Sequence, residues 1–428
     1  MSQPAARLPE AVKGTADLLP PNGERVLAVR AGLAAPLRLA GYGYVEPPLL
    51  ELTELFARGV GETTDVVSKE MFSFTDRGGR SVTLRPEGTV GVVRAALAGG
   101  LQRGALPVKL FYDGPMFRYE QPQAGRQRQF GQVGAEALGS DDPALDAELV
   151  QLADAGFRGL GLTRTVLQLN SLGDPEDRAA YSATLRDWLR DRVGGLDAET
   201  DGRIERNPLR VLDDKRPEVR ERTADAPLVT GSLSAQAQAH HDAVRRHLGD
   251  LGVAYVDEPR LVRGLDYYRR TTFEFVHPLL GAQSTIGAGG RYDGLAESIG
   301  GPPLPGVGWA SGVERVLLAL AAEQVEVAVP AVVAAYVGAL DTRATDGLVV
   351  LLARLRAAGV RAEFDYGREG RGVGKFLAAA GRAGARVAVF VGAAEHDAGV
   401  VAVRDLVSRE QRQVPPSDVP ALVQGLMA

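Results

Sequence analysis

MFRYEQPQAGRQRQFGQVGAE, residues 116–136, places two strand-like runs on either side of a loop rich in glutamine and arginine around Gly125. Arg118 and Glu120 are two apart, so on a strand their side chains share one face. Phe130, Gln132, Gly134 and Glu136 alternate in the same way on the returning run. The segment reads as an antiparallel hairpin whose inner face is polar and charged. A hairpin ordinarily turns apolar residues inward, so this face is expected to line a site. The competing reading is a solvated hairpin with surface arginines, and the rest of the chain has to separate the two.

Composition sets the bounds. The 428 residues suffice for two or three domains with a sizeable core. A hydrophobic fraction of 45% and a charged fraction of 24% are those of an ordinary globular protein. The net charge of -5 argues against indiscriminate coating of nucleic acid but not against a local basic patch. The absence of cysteine removes disulfides, thiol nucleophiles and cysteine-ligated zinc. No run of about 18 apolar residues exists, so no membrane partner is expected and the cytoplasm is the default location.

Outward from the hairpin, residues 1–10 read as a loose tail, followed by Lys13-Gly14-Thr15-Ala16-Asp17. Glu24 to Ala40 carries Val26, Leu27, Leu33, Leu37 and Leu39 at helical spacing, and Tyr42 to Val45 begins a strand stopped by Pro47-Pro48. The glycines and threonine pair within Phe56 to Glu70 suggest a mobile loop. Thr83 to Thr89 (TLRPEGT) leaves a strand and opens an apolar helix, with Glu87 where the helix dipole favours an acid. Leu145 to Leu160 reads as a helix and Val166 to Leu169 as a strand. Residues 175–251 turn arginine- and aspartate-rich and helical, and His240-His241 reads as a solvated feature of a helix there rather than a metal site. Next come LVRGLDYY (261–268), GAGGRYDGL (287–295), whose glycines let backbone approach a ligand, and GVGWASGVER (306–315). GxGGR lacks the G-x-G-x-x-G spacing of a dinucleotide site. Ala322 to Pro330 reads as a linker. Beyond it, strands at Val332 to Leu340, Val360 to Asp365, Val387 to Val391 and Val400 to Asp405 alternate with helices at Thr345 to Ala358 and Gly374 to Ala383, a small three-layer α/β domain.

Taken together these segments resemble the histidyl-tRNA synthetases, over nearly the whole chain. FRYE, Arg126 and QFGQVGAE resemble motif 2 of the class II aminoacyl-tRNA synthetases. The helix and strand ending at Pro48 resemble motif 1, and GVGWASGVER resembles motif 3. LVRGLDYY and GAGGRYDGL resemble the two histidyl signatures, and Asn207 to Lys215 resembles the bacterial insertion domain. The resemblance implies an α+β fold: an antiparallel-sheet catalytic domain in two parts (1–174 and 252–325), a helical insertion (175–251), and a C-terminal α/β anticodon-binding domain (331–428). It implies a homodimer through motif 1, and ATP, with Mg2+ bound to it, histidine and tRNA(His) as reaction partners.

Roles follow from the same resemblance. Arg118 and Arg263 would be catalytic cations at the reacting carboxylate and α-phosphate. Glu87, Thr89, Gln132, Glu136, Arg263, Tyr267 and Tyr268 would bind histidine, with Glu136 and Tyr268 orienting the imidazole. Arg118, Glu120, Arg126, Phe130 and Arg315 would bind ATP: Glu120 at the adenine amino group, Phe130 on the ring, Arg126 and Arg315 at the γ-phosphate. Arginine's fork suits phosphate bidentately. No metal ligands from the protein are identified, and none of the five histidines falls in these motifs. Gln121, Gln127 and Gly131 depart from residues common in the family at positions facing the tRNA acceptor end. Two alternatives stay open: a histidyl-tRNA synthetase paralogue in a specialised pathway, and the regulatory subunit of ATP phosphoribosyltransferase, which usually lacks the C-terminal domain and several of the ATP-facing arginines.

Overall fold

The computed structural model describes residues 10–62, 64–212, 214, 216–329, 333–366 and 372–427. They divide into two compact units, the first ending at Ala328. Most of the expected N-terminal tail, Asp213 and Lys215 of the insertion motif, the Pro330 end of the linker and the Val332 start of the next strand lie outside the described residues.

The first unit is built on an eight-stranded sheet. Its strands are β1 (Gly43–Tyr44), β5 (Val108–Phe117), β6 (Gln129–Leu138), β7 (Val166–Ser171), β8 (Val256–Asp257), β9 (Arg269–Val276), β10 (Thr285–Arg291) and β11 (Gly306–Gly312). A small side sheet holds β2 (Leu50–Leu52), β3 (Phe72–Thr75) and β4 (Ser81–Leu84). The main order is β1-β5-β6-β11-β10-β9-β7-β8, antiparallel except for the two edge pairs.

Alternation along the strands divides the sheet's two faces. Val133, Ala135 and Ala137 of β6 join Phe111, Phe273, Phe275 and Trp309 in a core covered by α1 (Asn22–Leu39). Among the helices, α2 (Thr53–Val60) and α3 (Thr89–Ala98) lie apart from that core, and α4 (Pro143–Gly159) belongs to it. The intervening residues Phe130, Gln132, Gly134 and Glu136 therefore face the other side. The period-2 reading of the hairpin holds, and it leaves a polar strip on the face away from the largest core. Helix α4 starts cleanly because Asp142 accepts a hydrogen bond from the Ala144 amide at 2.9 Å and Pro143 occupies its first turn.

Two expectations change within the insertion. Helices α5 (Pro175–Arg192), α6 (Ala198–Arg206), α7 (Leu209–Leu212) and α8 (Pro217–Arg222) enclose their own core of Tyr181, Leu185, Leu189, Ile204, Val219 and Val229. Helix α9 (Ala235–Asp250) leaves it: Val244 and Leu248 pack into the main core, against α4 and β9. The separate helical core thus ends near Val229 rather than at 251. The same packing buries His240 and His241, which are not solvated. Burial pulls both imidazole pKa values down and favours their neutral forms.

Phe56 to Glu70 is not a loop throughout. Phe56 lies in α2, and Val66–Glu70 forms a wide π-type turn. Thr63 lies outside the described residues. Gly59 and Gly61 serve close packing: a Cβ on Gly59 would stand 2.7 Å from Val90, and one on Gly61, at φ +103°, 2.8 Å from Asp266.

After α10 (Leu295–Ser298) and α11 (Val313–Ala322), the linker begins pinned. Glu323 accepts hydrogen bonds from the Thr163 hydroxyl at 2.6 Å and the Arg164 amide at 2.9 Å, and pairs with His277 at 2.9 Å.

The second unit is a five-stranded sheet: β12 (Ala335–Ala339), β13 (Ala362–Phe364), β14 (Val387–Val391), β15 (Val401–Asp405) and β16 (Gln411–Val414), ordered β13-β12-β14-β15-β16. The first three strands are parallel and the last two antiparallel. Helix α12 (Thr345–Ala357) packs on one face through Leu348, Leu351 and Leu355, and α13 (Val373–Arg382) on the other through Phe376 and Ala380. Two helices, α14 (Ala393–Ala398) and α15 (Val419–Met427), and strand β16 add to the three layers expected.

Candidate active site

A cleft of about 280 Å³ opens on the polar face of the main sheet. Its lining includes Arg118 and Glu120 beyond the end of β5, Phe130 and Gln132 from β6, Arg126 from the intervening loop, and Glu87 and Thr89 at the start of α3. Arg263, Tyr267 and Tyr268 come from the segment before β9, and Arg315 from the first turn of α11. The four arginines singled out from three stretches of sequence therefore meet in one cleft. Backbone carbonyls fix two of them, Arg118 and Arg315. The Arg118 Nε donates to Pro86 O at 2.9 Å, and the Arg118 guanidinium stands 5.5 Å from the Phe130 ring centre. Arg315 donates to Thr285 O at 2.8 Å and to Gly125 O at 3.3 Å, holding the tip of the hairpin loop.

Carboxylates balance these cations. Arg126 donates to Glu120 at 2.7 Å. Arg263 pairs with Glu274, whose other oxygen accepts from the Thr285 hydroxyl at 2.9 Å. Burial alone would pull the Arg263 pKa down. The Glu274 charge, with Tyr268 and Tyr267, outweighs it, and the net shift is upward. The Arg315 pKa is lowered, chiefly by burial and then by the Arg126 charge.

Glu87 accepts from the Thr89 and Val90 amides, each at 2.8 Å, so it caps α3 while lining the cleft. Burial raises its pKa against those bonds and the Arg118 charge. Gln132 lines the cleft, and its Oε1 is buried without a hydrogen-bond partner among the described residues. The Tyr267 and Tyr268 rings meet at a tilt of 51°, 4.6 Å between centres.

Glu136 is the exception. It is fully buried and does not line the cleft. Its register partner is Gly308, and a Cβ there would collide with the Glu136 carboxylate. That glycine leaves room for the side chain to fold beneath the wall, where it accepts from Thr89 Oγ1 at 2.7 Å and from the Tyr292 hydroxyl. Burial pushes its pKa well above the usual carboxylate range. The expected direct acceptor for an imidazole thus sits one layer behind Thr89.

Three polar wall residues lie outside the set that the sequence singles out: Glu274, Thr285 and Glu314. Glu314 accepts from the Gly131 amide at 2.8 Å and ties the hairpin to α11. Glu274 had one signal, a lone acid between Phe273 and Phe275 in the apolar half of β9.

A family profile described as histidyl-tRNA synthetase matches residues 14–316, and one described as anticodon binding domain matches 331–426. The curated histidine–tRNA ligase of Saccharopolyspora erythraea is 55% identical over 97% of this chain and 98% of its own length. That of Rhodococcus erythropolis is 56% identical over 96% of each. The apo histidyl-tRNA synthetase structure from S. aureus superposes with a TM-score of 0.81 at 31% identity, covering 98% of this chain and 100% of that one. A Bacillus halodurans chain described as an ATP phosphoribosyltransferase regulatory subunit/histidyl-tRNA synthetase shares the fold, with a TM-score of 0.64 at 21% identity over 89% of this chain and 97% of that one. Fold and site define a class II aminoacyl-tRNA synthetase catalytic unit joined to an anticodon-binding domain. Within that class, the chain belongs to the histidyl-tRNA synthetase family.

Proposed function

We propose that this chain is a histidine-tRNA ligase: it joins the carboxylate of histidine to the α-phosphate of ATP, releases pyrophosphate, and passes the histidyl group to tRNA(His). The observation that carries the reading is the convergence of Arg118, Arg126, Arg263 and Arg315 with Gln132, Tyr267 and Tyr268 on one cleft. In the first step a histidine carboxylate oxygen attacks the α-phosphorus, and the bond to the bridging oxygen of pyrophosphate breaks. Negative charge grows on the phosphate oxygens, where Arg118 and Arg263 stand as fixed cations. Arg126 and Arg315 hold the γ-phosphate end, with Glu120 and Phe130 at the adenine. Glu87, Thr89 and Gln132 hold the amino and carboxylate groups of histidine. Tyr268, with Glu136 behind Thr89, matches the imidazole, and polar pockets of this kind reject apolar isosteres strongly.

Mg2+ would be held by the ATP phosphates and would neutralise part of the charge that builds on them. The carboxylates beside the phosphate-facing arginines, Glu120 and Glu274, are already paired, and no group of three or more metal-ligating side chains occurs among the described residues. The purified protein is expected to catalyse histidine-dependent exchange of pyrophosphate into ATP and to charge tRNA with histidine alone among the amino acids. Exchange without charging would point to the specialised paralogue. The regulatory-subunit reading is weakened by the retained arginines and by the matched residues 331–426.

A cytoplasmic homodimer fits the remaining features. No helix among the described residues is long and apolar enough to cross a membrane. The motif 1 segment and the strand after it leave Leu27, Leu39, Tyr44, Leu49, Leu50 and Leu52 exposed, an unusual density of apolar surface for a free chain. Sedimentation at micromolar concentration should give a dimer, and a fully active monomer there would sink the proposal.

A further inference from the structure

We propose that Glu274 and Thr285 form a positioning relay that sets the catalytic Arg263 and couples it to Arg315 at the other end of the ATP site. The inference deepens the ligase reading and rests on it. Four contacts carry it. Arg263 Nη1 pairs with Glu274 Oε1. Thr285 Oγ1 donates to Glu274 Oε2 at 2.9 Å. Arg315 Nη1 donates to Thr285 O at 2.8 Å. Arg315 Nε then donates to Gly125 O at 3.3 Å, beside Arg126. All of these residues line the same cleft. One continuous chain of polar contacts therefore runs from the cation at the α-phosphate to the loop that carries the γ-phosphate cation.

The geometry is built into the sheet. Ala288 lies opposite Glu274 and Gly287 opposite Phe275, but Thr285, not Ile286, lies opposite Val276. The pairing skips Ile286, as a bulge does, and bulges beside sites re-aim side chains. Here the skip brings Thr285 to the Glu274 side of the strand pair, and Ile286 drops into the core. A threonine with one hydroxyl and one carbonyl then serves both arginines at once.

The relay answers a physical need. Arg263 has a long, flexible side chain, and ordering it has an entropic cost. Its Nε is buried without a hydrogen-bond partner among the described residues. Glu274 therefore supplies its principal orientation, with the Tyr268 ring 5.3 Å beneath the guanidinium. A carboxylate already bound by Thr285 cannot rotate freely, so it holds Arg263 at a defined point before ATP arrives. Glu274 acts through Arg263 and is a positioning residue.

The test is a double-mutant cycle on the full-length protein, read by pyrophosphate exchange. Glu274→Gln keeps the shape and removes the charge. It should lower kcat by about 10–100-fold, the order lost when a partner that orients a metal-ligating side chain is removed, and leave the histidine KM nearly unchanged. In an Arg263→Ala background the same substitution should add almost nothing, because its target is gone. Thr285→Val should act in the same direction and more weakly, and Thr285→Ser should restore the wild-type kcat. Equal losses from Glu274→Gln with and without Arg263 would overturn the relay, as would an unchanged kcat in Glu274→Gln. Wild-type protein run alongside keeps the two levels apart. Absent histidine-dependent exchange in it would overturn the ligase reading itself, whereas the relay fails only through its variants.

Discussion

Arg263→Ala should lower histidine-dependent pyrophosphate exchange by about 10²–10³-fold, roughly 3–4 kcal/mol of transition-state stabilisation. Arg263 lies in a glycine-followed turn before β9, lines the cleft, and carries its charge beside Tyr268 and Glu274. Nothing in the fold requires a cation there, since apolar packing around the turn comes from Leu261, Leu265 and the two tyrosines. The variant leaves Glu274 without its guanidinium, but the carboxylate keeps the Thr285 hydroxyl and opens onto the cleft, where water can reach it. The melting temperature should therefore move little while kcat collapses. Arg263→Lys should recover only part, because a point charge cannot reproduce the planar fork. An alanine variant with near-normal exchange, or one that melts far earlier, would return Arg263 to the scaffold.

The contrast between Arg263 and the other conspicuous residues shows what the sequence could carry. Period-2 alternation puts Arg118, Glu120, Phe130 and Gln132 on one face; the sheet holds Phe130 and Gln132, and Arg118 and Glu120 just past the end of β5 line the same cleft. Alternation fixes a face but not a depth. Glu136 obeys the same period yet lies beneath the wall, because its depth depends on Gly308, a residue 172 positions away on β11. Glu274 shows the converse. Its bond from Thr285 depends on a bulge in β10, and bulges have no period to read. His240 and His241 escape a local pattern for a related reason. A helix covered on two sides buries residues that a one-sided pattern leaves to solvent, and α9 meets both α4 and β9. Local pattern is legible where one neighbour decides burial and fails where several distant ones do.

Arg291 puts that lesson to a quantitative test. It stands in GAGGRYDGL, where the glycines and arginine invite a ligand-binding reading. The structure gives only Gly287 and Ala288 to the cleft. A Cβ on Gly289 would collide with Gly308 O, and one on Gly290 would press on Thr271 O, so those glycines let β9, β10 and β11 approach closely. Arg291 points the other way and is fully buried. It pairs with Asp146, itself fully buried on α4, donates to Asp293 at 3.0 Å and donates to Ser140 O at 3.0 Å. This is a pin joining α4 and the turn before it to β10 and the turn after it. Arg291→Met should lower the stability of the first unit by about 3–5 kcal/mol, because it strands a buried carboxylate. Exchange per folded molecule, measured well below the melting temperature, should stay near normal. The second substitution decides the cause. Asp146→Leu added to Arg291→Met removes the stranded charge and should recover much of the loss, since apolar replacement of a whole buried pair is often close to neutral. Chemical denaturation of the single and double variants checks both statements. A loss below about 1 kcal/mol, the range of surface pairs, would mean that water reaches Asp146. A large loss of exchange in a stable variant would restore Arg291 to the active site.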